Sequence, residues 1–232
     1  MIPWLRDDDP FPPLGRALVD PNGLLAASDD LSAARILAAY RRGIFPWYST
    51  GQPVLWWSPD PRMILPTDEL KVSRSLGKAV RNRVFEIRVD TAFDDVMKAC
   101  AEPRPEQPGT WITEAVRTAY GRVHNLGHAH SVESWRDGNL VGGLYGVSIG
   151  RMFFGESMFA RESDASKVAL VHLVSQLRKW EFPMVDCQQQ TAHLASLGAR
   201  PIPRSTFAEA LERLVHCPPP IPLPNRWTFE SM

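Results

Sequence analysis

The chain has 232 residues, and its 26 Lys and Arg balance 26 Asp and Glu, so the formal net charge is zero. With 44% hydrophobic and 22% charged residues it has the composition of a globular protein, which excludes a disordered chain or a partner gripped through global basicity. The three cysteines, Cys100, Cys187 and Cys217, are too widely spaced for a disulfide or zinc framework. No apolar run is long enough to span a bilayer, and the start lacks a signal-peptide pattern, so a cytoplasmic protein is expected.

Residues 1–30 are rich in proline and turn signals, with Pro21-Asn22-Gly23 the clearest. Asp30 or Ser32 then caps a helix over Ala33–Arg42 that Gly43 closes. Two aromatic clusters follow, Ile44-Phe45-Pro46-Trp47 and Trp56-Trp57-Ser58-Pro59-Asp60-Pro61-Arg62; their prolines exclude a helix interior. They either staple a small N-terminal domain to its neighbour or offer flat surfaces to a ring or base.

Lys71–Arg83 is the one local basic patch. If residues 71–81 are helical, Arg74, Lys78 and Arg81 share a face, with Val72, Leu76 and Ala79 on another. Such a stripe grips phosphates or is simply a solvated surface. Phe85, Ile87 and Val89 then read as a half-buried strand, and Asp90 or Thr91 as the cap of the next helix. Pro103–Gly109 is a loop that delivers Trp111 ahead of a further helix ending at Gly127. Asp137-Gly138 joins Ser131–Arg136 and Leu140–Ile149 in a hairpin, and glycines 142, 143, 146 and 150 imply bulges or close backbone approach. His128 and His130 share a strand face without a third residue at metal-ligand spacing, so no metal is expected. Ser166–Trp180 is an amphipathic helix between two strand-like runs, Met152–Phe159 and 183–189. A short helix over Thr191–Leu197, a capping box from Thr206 and Glu209, and a proline-rich tail from 217 complete the chain.

Both strand-like runs interrupt apolar residues with an acid, Glu156 in the first and Asp186 in the second. Acids placed where burial is costly are either structural ion pairs or groups for positioning and proton transfer. Strand alternation puts Asp186 and Gln188 on one side and Cys187 on the other, against a nucleophilic role for that thiol. It also puts Glu156 and Met158 on one face, provided Gly155 does not bulge the strand.

The sequence resembles the leucyl/phenylalanyl-tRNA–protein transferases from about Phe11 to Val215. The resemblance is carried by Pro21-Asn22-Gly23-Leu24-Leu25, Arg42-Gly43-Ile44-Phe45-Pro46-Trp47, Trp56–Arg62, Gly109-Thr110-Trp111-Ile112-Thr113, Leu126–Ser131, Gly155-Glu156-Ser157-Met158-Phe159, Asp186-Cys187-Gln188 and His193–Ala199. It implies an α/β (α+β) protein: a small N-terminal domain (1–62) and a larger acetyltransferase-like catalytic domain (63–232) whose mixed sheet is flanked by helices. It implies transfer of Leu or Phe from charged tRNA to an N-terminal Arg or Lys of a protein, marking that protein for degradation. Trp47 and Trp111 would hold the terminal adenosine; Leu144, Met158 and Leu170 would line the amino-acid pocket; Arg74, Lys78 and Arg81 would meet the tRNA stem. Asp186, Gln188 and Glu156 would form the catalytic group.

Because an aminoacyl ester is already activated, no cofactor or metal is expected. The reaction needs a deprotonated amine, correct placement and oxyanion stabilisation. An α-amine has a pKa near ~8, so its deprotonation is inexpensive, while an amide such as Gln188 accepts hydrogen bonds but barely takes a proton. Gln188 is therefore expected to orient the amine, polarised by Asp186, with Glu156 holding the acceptor cation or joining the proton path. Two alternatives stand beside this one: a peptidoglycan-bridge type of tRNA-dependent aminoacyltransferase, and a non-catalytic tRNA-binding module.

Overall fold

The computed structural model describes residues 1–103, 109–219 and 225–229; residues 104–108 of the loop expected over Pro103–Gly109 and part of the proline-rich tail lie outside them. Residues 1–30, expected to be rich in turns, also contain strands β1 (Trp4–Leu5) and β2 (Leu24–Ser28), and strands β3 (Phe45–Pro46) and β4 (Val54–Trp57) run into the aromatic clusters beyond them. They form a sheet in the order β1-β2-β4-β3. Proline in β3 is accommodated because β3 is an edge strand, where a missing N–H costs no ladder bond. Trp56 is fully buried in β4 and donates its indole N–H to Ser28 Oγ at 2.9 Å, so one aromatic cluster is core. Helix α1 (Ala33–Tyr40) starts where Ser32 accepts the Arg35 N–H, which selects Ser32 over Asp30 as its cap.

The second sheet begins at β5 (Arg62–Pro66) and has seven strands. Its other elements, in chain order, are α2 (Arg74–Arg81), β6 (Glu86–Val89), α3 (Phe93–Ala101), α4 (Glu114–Asn125), β7 (Ala129–Arg136), β8 (Asn139–Ile149) and β9 (Met152–Ala160). Then come α5 (Ala165–Lys179), β10 (Met184–Gln188), α6 (Ala192–Ser196), β11 (Arg200–Ile202) and α7 (Arg204–Val215). The strand order is β11-β5-β10-β9-β8-β7-β6, antiparallel throughout except between β9 and β10. That parallel pair needs a crossover, which α5 supplies. The result is the expected α/β protein with a mixed sheet flanked by helices.

Strand alternation sorts the core. Val132, Leu144 and Phe153 pack with Leu170 and Leu173 of α5, while Tyr145, Val147 and Phe154 pack with residues of α1, α3, α4 and α7. Gly142 lets α5 settle on β8: a Cβ there would lie 2.4 Å from that of Ala165. The β7–β8 hairpin turns on Asp137 and Gly138, both left-handed, as a tight two-residue turn requires.

Two helix starts differ from expectation. Helix α3 is capped neither by Asp90 nor by Thr91; the buried Glu133 carboxylate accepts the Thr91 and Ala92 N–H groups from across the sheet. Helix α7 starts at Arg204, two residues before the expected capping box, and Asp60 accepts the Arg204 N–H at 3.0 Å. In both cases a distant carboxylate does what a local side chain was expected to do.

Candidate active site

Two irregularities in neighbouring strands bring the acids together. Along β8–β9, Tyr145 pairs with Ser157 and Gly146 with Gly155, leaving Glu156 as the extra residue of a bulge. The bulge reverses parity: Phe154 packs on the α4 side and Met158 on the α5 side, although they are four residues apart. Glu156 and Met158 therefore serve different faces, because the condition of an unbulged strand is not met. On β10 the register with β5 shifts between Asp186 and Gln188, and Gln188 adopts φ 61°.

Asp186 is fully buried and neutralised. Arg62 donates to it through Nε (2.8 Å to Oδ1) and Nη2 (2.6 Å to Oδ2), a bidentate pair. Arg62 also donates to the Gly43 carbonyl at 3.0 Å and lies over the rings of Phe45 and Phe207. The remaining contact of Asp186 is with the Gln188 backbone N–H, 2.9 Å from Oδ1. Asp186 thus acts on the Gln188 main chain and holds its left-handed conformation; no bond links the two side chains, which revises the idea of direct polarisation.

Glu156 has no cation beside it. Its carboxylate accepts from Tyr40 Oη (2.5 Å), Gln188 Nε2 (2.6 Å) and Tyr120 Oη (3.2 Å). Burial pushes its pKa up to about 7; the Tyr40, Gln188 and Tyr120 bonds oppose that shift and the charge of Asp186 adds to it. The two phenols are also 2.6 Å apart. Two phenolic protons cannot fill three oxygen–oxygen contacts, whereas a protonated Glu156 supplies the third. Burial first, then the nearby Glu156, raises both phenols well above their ordinary value, so they remain donors. The Gln188 amide nitrogen is committed to Glu156, which leaves its carbonyl oxygen as the group's acceptor.

Across the sheet lies an apolar cavity of about 340 Å³ lined by Leu65, Leu144, Phe153, Met158, Leu170 and Val185 among others. Cys187 also lines it, on the opposite side of β10 from Asp186; burial pushes its thiol far up, so it is inert as a nucleophile. Glu156 reaches the same rim. The cavity therefore has mostly apolar walls, with Glu156, Ser157, Thr191 and His193 as polar members of its lining, and Gln188 is bonded to Glu156. A larger open depression of about 720 Å³ lies between α3 and α4, lined by Asp94, Asp95, Arg117 and Arg122, and contains neither Glu156 nor Gln188.

The remaining sequence candidates are exposed or half-exposed. Trp47 is exposed; its ring meets Trp57 edge-on, with centroids 5.5 Å apart. Trp111 is half-buried. Arg74, Lys78 and Arg81 are exposed on α2, whose Leu76 is buried against the α5 residues Val168 and Val171. Val72 precedes this helix and is exposed, so it does not belong to the apolar face. Sequence reasoning missed Arg62, Tyr40 and Tyr120 as site residues. A buried Asp requires a counter-ion, and Arg62 ends a cluster already singled out; nothing in the local pattern distinguishes the two tyrosines from ordinary core.

Residues 64–212 match the family described as leucyl/phenylalanyl-tRNA protein transferase, and residues 29–60 match its N-terminal domain. The chain belongs to the leucyl/phenylalanyl-tRNA–protein transferase family. A relative named leucyl/phenylalanyl-tRNA–protein transferase from Thiobacillus denitrificans is 61% identical, covering 95% of this chain and 96% of its own. One of the same name from Aromatoleum aromaticum is 58% identical, covering 100% and 96%. A conserved protein of unknown function from Staphylococcus epidermidis is a distant structural likeness, 13% identical with a TM-score of 0.43 over 78% of this chain and 68% of that one. Membership of the leucyl/phenylalanyl-tRNA–protein transferase family sets aside the peptidoglycan-bridge alternative.

Proposed function

We propose that this chain transfers Leu or Phe from aminoacyl-tRNA to the α-amine of an acceptor protein beginning with Arg or Lys, marking it for degradation. The observation that carries the reading is a carboxyl group with a pKa near 7, hydrogen-bonded to Gln188 at the rim of an apolar cavity. In this reading Leu144, Met158 and Leu170 hold the donor side chain, and the flexible Met158 fits both the branched and the flat one. Trp47 and Trp111 hold the terminal adenosine, and Arg74, Lys78 and Arg81 meet tRNA phosphates across α5 from the cavity. Residues 1–62 act as a small domain that completes the site with Tyr40 and Arg62; residues 63–232 form the catalytic domain.

The chemistry follows from the charges. The acceptor amine arrives as an ammonium, and its cation is attracted by ionised Glu156. Near neutral pH the proton passes to Glu156 at little cost, since the two pKa values differ by only about one unit. The Gln188 carbonyl oxygen accepts one remaining N–H and aims the lone pair at the ester carbon. The C–N bond forms, the C–O bond to the ribose breaks, and the attacking nitrogen's second proton goes to the departing ribose oxygen; the first, held on Glu156, is then released to solvent. Arg62 holds both oxygens of Asp186 throughout. Placement contributes most of the rate. The test is transfer of labelled Leu from charged tRNA to a peptide beginning with Arg, beside a matched peptide beginning with Ala. Product only with the Arg peptide is expected; equal labelling of both rejects the acceptor assignment, and labelling of neither rejects the transfer.

A further inference from the structure

A tail rich in proline has no evident reason to contribute to the core, yet Trp227 is buried to 2% exposure. Its ring stacks on His130 at 3.8 Å with an interplanar angle of 9°, and its backbone N–H donates to Asp90 Oδ2 at 2.8 Å. The same Asp90 oxygen binds His130 Nδ1 at 2.8 Å, and the other oxygen accepts the Ser131 N–H at 2.9 Å. One carboxylate therefore fixes both the tail and the ring on which it stacks. Trp180, at the end of α5, closes the seat edge-on at 4.9 Å.

This seat adjoins the cavity. Trp227 also meets Phe153, with centroids 5.8 Å apart, and Phe153 lines the apolar cavity while itself 1% exposed. The Phe153 ring is packed on Gly146 as well, where a Cβ would lie 2.6 Å from it. Its position thus depends on a backbone with no side chain and on a tail residue brought from far along the chain. Removing the tail ring opens space into which Phe153 can retreat, and the cavity deepens.

We infer that Trp227 is a specificity-determining positioning residue: by backing Phe153 it sets the depth of the donor side-chain pocket and hence the balance between Leu and Phe. The inference rests on the reading of that cavity as the donor pocket. The experiment measures kcat/KM for Leu-tRNA and Phe-tRNA with one Arg-initiated peptide, in the full chain and in Trp227→Ala, Trp227→Phe, Phe153→Leu and Leu170→Ala. Trp227→Ala is expected to shift the ratio towards Phe by about three- to tenfold, at or below the lower end of what a methylene-sized change in a pocket produces, because Trp227 acts through Phe153. Phe153→Leu should shift it the same way with the tail in place, and Trp227→Phe should restore most of the parent ratio. A purely structural role lowers both donors alike, so an unchanged ratio in Trp227→Ala overturns the inference. If that variant fails to fold, Trp227→Phe decides: a small shift towards Phe supports the buttress, and a ratio identical to the parent's overturns it. A ratio that responds to Leu170→Ala but not to Trp227 leaves the pocket reading intact and removes only the buttress; one that responds to neither removes both.

Discussion

Asp186 and Glu156 lie on adjacent parallel strands and differ in one respect that decides their roles. Asp186 sits in full burial with a guanidinium on both of its oxygens. Glu156 sits among phenols and an amide with no cation in contact, and burial lifts it to about 7. The first is held in an ion pair and points inward; the second is raised by burial and belongs to the cavity lining. In the proposed reading the paired carboxylate positions Gln188, and the one without a cationic partner exchanges protons.

The largest effect should come from breaking the ion pair. Arg62→Met leaves Asp186 buried and uncompensated, which should cost about 3–5 kcal/mol, measured by urea unfolding. The double change Arg62→Met with Asp186→Leu should recover much of that stability while activity stays lost, since the Gln188 N–H then has no acceptor. Stable but active double variants would mean that the clamp serves folding alone.

Next in size is the Glu156 carboxyl. Glu156→Gln should lower kcat/KM by about 10²-fold and remove a rise in rate between about pH 6 and 8, leaving only the titration of the amine itself. Stability should move the other way. Between the carboxyl's ordinary value and about 7 the folded protein binds more protons than the unfolded chain, so the parent loses stability as pH rises through that window. The Gln variant has no such loss; relative to the parent it should gain up to about 3 kcal/mol in going from pH 4 to pH 8. Parallel pH–stability curves for the two proteins would contradict an elevated Glu156.

Much of this comparison was legible in the sequence, and the part that was not has a common cause. Alternation along 184–188 separates Asp186 from Cys187 because a buried strand obeys its period. It fails at Glu156 because a bulge inserts one residue, and neither Gly155 nor Gly146 says which neighbour becomes the extra one. Local signals also located α1, α4 and the β7–β8 hairpin, whose caps and turn lie within a few residues of the elements they start. Partners distant in the chain were hidden: Arg62 for Asp186, Tyr40 and Tyr120 for Glu156, Glu133 for α3 and Asp60 for α7. Each is a compensation for a buried charge or an unpaired N–H group, and only the folded topology chooses the residue that provides it.

The cavity side of the sheet offers a smaller test of the same division of labour. Leu170→Ala deletes buried aliphatic surface next to Met158 without touching either acid. It should lower kcat/KM for Leu-tRNA by about tenfold, with the pH profile unchanged. A displaced inflection would mean that the cavity and Glu156 are not independent.

The weakest effect belongs to α2, none of whose residues lines the cavity. Arg74, Lys78 and Arg81 are exposed, and their surface charges contribute little to folding. Against a phosphate backbone each acts chiefly by displacing counterions, so Lys78→Gln should leave the thermal midpoint and the rate at saturating tRNA as they are. It should raise the tRNA Kd a few-fold at low salt and reduce the slope of log K against log salt by about 0.7 to 0.9. Replacing all three should reduce the slope by roughly three times as much, because independent phosphate contacts add. A slope insensitive to all three substitutions would make this stripe a solvated helix face and move the tRNA contact elsewhere on the molecule.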